Sequence, residues 1–152
     1  TGATEVPEAA RVAHAHLAQS GTNAFPVLIQ NVHDQRLGWR IFKPTTASRT
    51  TVGEICLSII VMQVQQACRW DGAPCYLTQE NAGEWWKQNE GKSILALQIQ
   101  ALEWTIPACP LRLYESDKYR EEHIAELKQL LGVLREQEAS NKEPKATRKR
   151  AP

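Results

Sequence analysis

The sequence predicts a small single α+β domain with a β-hairpin, several helices and a long C-terminal amphipathic helix, ending in a basic disordered tail. Three observations predict it. Apolar residues recur at helical spacing in several stretches, most regularly at Ile124, Leu127, Leu131 and Leu134. Two short runs rich in aromatic and β-branched residues stand between the first two helical stretches, as strands do. The last eleven residues, Lys142 to Pro152, hold five cations against one acid, Glu143, and no apolar side chain besides proline and two alanines. Such a segment cannot bury enough surface to order itself. The body is therefore placed at 1–141 and the tail at 142–152.

Each element has a local reason. Pro7 to Ser20 reads as a helix, with Pro7 in its first turn, Val12, Ala13 and Leu17 on its apolar face, and Gly21 to end it. Phe25 to Asn31 and Leu37 to Lys43 read as two strands of a hairpin, turning at His33-Asp34-Gln35. Pro26 fits a strand start or an edge. Pro44 to Thr51 reads as a loop by composition. Thr51-Val52-Gly53-Glu54 matches a capping box, opening a helix to about Trp70 that is apolar nearly all round and hence buried and central.

Asp71 to Pro74 is a turn, and Cys75 to Leu77 a brief strand. Asn81-Ala82-Gly83-Glu84 repeats the capping pattern and opens a helix that carries Trp85 and Trp86. It pauses near Gly91 and resumes from Ser93 to Thr105, with Pro107 and Pro110 barring continuation. Ser116-Asp117 starts the longest helix, to about Ser140. Its apolar stripe is expected to pack on its own domain, with Glu121–Lys128 and Glu126–Arg135 on the outer face.

Composition narrows the class. The chain has 152 residues, enough for one sizeable core. It carries a net charge of +1, and since the tail is +4, residues 1–141 hold −3. No apolar run reaches the roughly 18 residues of a membrane span, so no membrane partner is expected. Thr1 to Pro7 has neither the basic start nor the apolar stretch of a secretion signal. Cys56, Cys68, Cys75 and Cys109 form no C-x-x-C pair. Cys56 and Cys68 on one helix lie about 18 Å apart and cannot bridge each other. Free thiols in a reducing compartment are the expectation, with a cytoplasmic, nuclear or nucleoid location. A Cys75–Cys109 disulfide or a metal site is the alternative.

Between Gln35 and Gly53 stand Arg36, Arg40, Lys43 and Arg49, no acid, and the interleaved rings of Trp39 and Phe42. Cations neutralise phosphates and a ring stacks on an unpaired base, so this composition suits a surface for single-stranded nucleic acid. Strand alternation puts Arg40 and Phe42 on one face and sends Trp39 with Ile41 towards the core. Lys145, Arg148, Lys149 and Arg150 of the tail would add sequence-independent phosphate contacts. Trp85 and Trp86 diverge by about 100° on a helix, so one of them is a candidate anchor for a protein partner.

Other constellations carry less chemistry. Leu77 to Ala82 (LTQENA) resembles the opening of a helix-turn-helix, but Trp86 stands where that motif has a small residue. His14, His16, His33 and His123 are read as unconnected, and no nucleophile elbow, phosphate loop or dinucleotide fingerprint occurs. No cofactor or metal is expected. The leading expectation is a non-enzymatic nucleic-acid-associated accessory protein. A protein-interaction or assembly subunit, or a homo-oligomer through the C-terminal helix, comes next. A small enzyme with a dispersed site is ranked lowest.

Overall fold

The computed structural model describes residues 6–43, 46–65, 76–109 and 117–142. Among them are six helices and one antiparallel hairpin, in the order α1 (Glu8–Gln19), α2 (Phe25–Gln30), β1 (Leu37–Lys43), β2 (Thr46–Thr51), α3 (Val52–Val64), α4 (Ala82–Asn89), α5 (Ile94–Ala108) and α6 (Asp117–Lys142). The coarse α+β class stands. The tail from residue 143 onward, with Lys145, Arg148, Lys149 and Arg150, lies outside the described residues.

The first half of the chain departs from expectation at two places. Phe25 to Gln30 is helical, not a strand. Pro26 falls in the first turn of α2, where its missing N–H leaves no bond unmade and its fixed φ is already helical. A 3-10 turn over Gly21–Ala24 leads into it, and Gly21 supplies the required φ of +57°. The second strand of the hairpin comes instead from Thr46–Thr51, in the stretch read as a loop. Its threonines are β-branched and satisfy a strand as well as a turn. Leu37 pairs with Thr51, Gly38 with Thr50, Trp39 with Arg49 and Ile41 with Ala47, and the register shifts between Ile41 and Lys43.

Helix α3 begins as expected. Thr51 Oγ1 accepts from Glu54 N and Glu54 Oε2 accepts from Thr51 N, each at 3.2 Å. The helix ends at Val64 rather than near Trp70; residues 66–70 lie outside the described residues. The Asn81 cap is different from expectation. Its side chain turns back, accepting from Thr78 N at 2.8 Å and donating to Tyr76 O at 3.2 Å, and makes no bond into α4. Leu77 is buried without belonging to a strand, and Cys75 lies outside the described residues. Gly91 (φ +82°) separates α4 from α5, whose cap is Ser93 Oγ accepting from Ala96 N. Helix α5 runs past Thr105 and takes Pro107 into its last turn.

Among the described residues two apolar clusters form the interior. The larger joins Phe25, Leu28 and Val32, the α3 residues Cys56, Ile59, Ile60 and Val64, Leu77, Ala82 and Trp85 of the α4 region, and Leu97 and Ala101 of α5. The smaller joins Ile99 and Leu102 of α5 to Leu127 and Leu131 of α6. Helix α5 therefore lies between α3 and α6, which explains its apolar residues on two sides. The α6 stripe packs within its own fold, as expected. The outer ion pairs differ, however: Arg135 crosses to Glu103 of α5 at 2.6 Å, and Lys118 approaches Glu122 at 3.8 Å. Leu127→Ala should cost about 2–5 kcal/mol in urea unfolding, because its side chain is buried between two helices and deletion leaves a cavity. A loss below about 0.5 kcal/mol would separate α6 from α5 in solution.

Helix α1 is held more lightly. It has no fully buried residue and leans on the core through Leu17. His14, on the same helix, is partly buried, and desolvation lowers its pKa below the ordinary 6.5. The unfolded chain therefore takes up a proton near pH 6.5 that the folded chain resists, so His14 subtracts stability as pH falls below that value. Wild type should lose more stability than His14→Gln on going from about pH 7.5 to 5.5. Equal losses, read from thermal melts at both pH values, would remove His14 as the cause.

Candidate nucleic-acid interface

The hairpin is tied to the helical body at its base by one short turn. After α2, Asp34 Oδ1 accepts from Arg36 N at 2.9 Å, closing an Asx turn. Both Asp34 oxygens also accept from Arg36 Nε at 3.0 Å, and Oδ2 from Arg36 Nη2. These side-chain bonds, chiefly, hold the Asp34 carboxyl below its ordinary range and raise the Arg36 guanidinium above its own. The backbone continues the joint. Asp34 O accepts from Gly53 N at 2.9 Å, Arg36 O from Val52 N at 2.8 Å, and Val32 O from Gln79 Nε2 at 2.8 Å. Thr51 is at once the last residue of β2 and the cap of α3. Hairpin and helix are thus a single joined unit.

Gly38 decides which face of the hairpin turns inward. A Cβ on it would lie 2.7 Å from Ile55 Cδ1 and 3.5 Å from Val52 Cγ2, so the Gly38 face rests on α3. Strand alternation puts Leu37 and Trp39 on the opposite face. Leu37 there is 65% exposed. Trp39 is half-buried, and the exposed Arg49, its direct cross-strand partner, holds its guanidinium carbon 5.1 Å from the ring centroid. That is a cation–π pair, which for an arginine leaves a planar cation at the surface. Among the described residues no carboxylate pairs with Arg49.

The expected site residues therefore fare differently. Arg36 is exposed, but its charge is offset by Asp34. Arg49 stands open on the outer face. Arg40, Phe42 and Lys43 have their backbone in β1, and their side chains lie outside the described residues. Trp39, expected in the core with Ile41, belongs instead to the face turned away from α3. It was misplaced because alternation gives two faces but not which one is covered. The Trp39–Arg49 pairing became readable only with the register, which required Thr46–Thr51 to be recognised as a strand.

Trp85 is buried and donates its indole Nε1–H to Tyr76 Oη at 3.1 Å. Trp86 is half-buried, with its ring 5.5 Å from that of Phe25 and 6.1 Å from that of Trp85. Both indoles thus pack on the core. The exposed end of this aromatic group is Trp104, whose ring lies 5.3 Å from Tyr76. Burial pushes up the pKa of Tyr76, and also that of Cys56, where the Asp34 charge adds to it. Both causes disfavour the reactive thiolate form of Cys56. Among the described residues no group of three or more His, Cys, Asp or Glu side chains is placed to hold a metal ion. None of their helices is long and apolar enough to cross a membrane.

No protein-family model, no curated protein and no solved structure matches this chain.

Proposed function

We propose that this protein is a nucleic-acid-associated accessory protein without catalytic activity of its own, which contacts its ligand through the outer face of the β1–β2 hairpin. The observation that carries the reading is the Trp39–Arg49 pair, an aromatic ring with a guanidinium over it on the face away from α3, where no carboxylate among the described residues pairs with the cation. The stretch around it is rich in cations and free of acids from Gln35 to Gly53. The cationic tail extends the same logic, neutralising phosphates whatever the sequence. Single strands are favoured over duplex, because a side chain stacks only on a base whose face is open.

Assembly through α6 or the Trp85/Trp86 region has less support. The α6 stripe is covered by α5, and the two indoles pack on the core.

Fluorescence anisotropy with single-stranded and duplex oligonucleotides at about 50 and 200 mM salt tests the proposal. The expected result is tighter binding of the single strand, weakened by salt. Deleting residues 142–152 should lower affinity for all sequences alike and flatten the salt slope. Absence of binding at the lower salt would end the nucleic-acid reading and bring the assembly reading forward.

A further inference from the structure

We infer that Arg49, backed by Trp39, is a stacking platform for an unpaired nucleobase, so that the hairpin recognises bases and not only phosphate charge. The inference rests on the nucleic-acid reading and gives its site a ligand chemistry. Three features lead to it. Trp39 and Arg49 are opposite each other on paired strands, so the ladder itself fixes their separation. The guanidinium sits over the indole, and no carboxylate among the described residues competes for it. Arg49 is exposed whereas Trp39 is half-buried, so the guanidinium is the more accessible member of the pair.

A guanidinium plane accepts a base on its free side much as an aromatic ring does, and its charge remains available to a neighbouring phosphate. Trp39 is then a positioning residue. Its ring restricts the many rotamers of a free arginine side chain, which would otherwise have to be ordered at the moment of binding. The ligand this geometry suits is a flexible single strand. A duplex hides its base faces, and a base-free polyanion offers nothing to stack. The positive charge of the surrounding stretch suits the same anionic occupant.

Arg49→Lys separates stacking from charge, because lysine keeps the positive charge but has no plane. Arg49 is exposed, and a melting curve of the variant checks that it folds. The full chain is titrated into a labelled oligothymidylate, and in parallel arms into inorganic polyphosphate and oligoglutamate, at about 50 mM salt. The expected result is a loss of oligothymidylate affinity of about 5-fold or more in Arg49→Lys, with polyphosphate binding unchanged. Trp39→Phe should retain most of the affinity and Trp39→Leu should lose it; melting curves of both check that they fold.

Arg49→Lys binding oligothymidylate as tightly as wild type would overturn the inference while leaving the nucleic-acid reading standing on charge. Equal wild-type affinity for oligothymidylate and for polyphosphate or oligoglutamate would overturn it too, since the site would then read charge alone. Wild type binding no oligonucleotide would overturn both.

Discussion

Gly53→Ala is expected to be the most damaging glycine-to-alanine change among the described residues. A Cβ at position 53 would lie 2.2 Å from Val32 O and 2.7 Å from Val32 C. The obstacle is backbone, so no side-chain rotation relieves it. Moving the turn away would break the Gly53 N–H bond to Asp34 O and the Gln79 bond to the same Val32 carbonyl. Overpacking usually costs about 1–3 kcal/mol where neighbours can shift. Here the expected loss is above about 3 kcal/mol, with the hairpin loosened from α3. Urea unfolding measures it, with Gly132→Ala as the control. Nothing lies within 4 Å of a Cβ at Gly132, so alanine in mid-α6 should stabilise by about 0.5–1 kcal/mol. A loss under about 1 kcal/mol for Gly53→Ala would show that the turn and α3 are not in contact in solution.

Phe25→Ala carries the second large effect, about 3–5 kcal/mol. The ring is fully buried, 6.3 Å from the Trp85 ring and 5.5 Å from that of Trp86. Its loss opens a cavity beneath both indoles and should weaken the near-ultraviolet circular dichroism. The same segment offers a test of its conformation. In a strand, Phe25 and Val27 would share a face and be buried together. In α2, Phe25 and Leu28 are buried, as is Val32 in the turn that follows, while Val27 is 49% exposed. Leu28→Ala should therefore be costly, and Val27→Ala should stay within about 0.5 kcal/mol of wild type. Similar large losses at Phe25 and Val27, with little at Leu28, would restore the strand.

These two sites mark where sequence and structure part company. Features set within one turn of chain were readable directly. The Thr51–Glu54 box, the break at Gly91, the resumption of helix from Ser93 and the α6 stripe each depend on residues at most a few positions apart. Features that depend on a distant neighbour were not. Phe25-Pro26-Val27-Leu28-Ile29 is apolar enough for a buried strand or a buried helix, and five residues are too few for periodicity to choose. Packing on α3 and α4 chose helix. Thr46–Thr51 looks like a loop until β1 lies beside it, because strand pairing is a contact between segments and not a property of one. Asn81 has the right spacing for a capping box, yet its side chain satisfies Thr78 and Tyr76 instead.

The candidate site divides in the same way. The concentration of cations and rings between Gln35 and Gly53 was legible from composition alone. Which of them act together was not. Arg36 is offset by Asp34 because a tight turn brings the two together. Trp39 faces outward because Gly38 has no side chain to keep the other face of β1 away from Ile55.

By itself the amino-acid sequence determined the Thr51–Glu54 cap of α3, the break near Gly91, the amphipathic α6, the α+β class and the location of positive charge. All of these arise from backbone preference and hydrophobic period within a single segment. Only the tertiary structure decided that α2 is a helix, that β2 exists, that α5 serves two apolar clusters, and that Arg49 rests on Trp39. Those outcomes turn on burial and pairing between segments far apart in the chain, where the energy lost or gained on contact exceeds the small differences in local propensity.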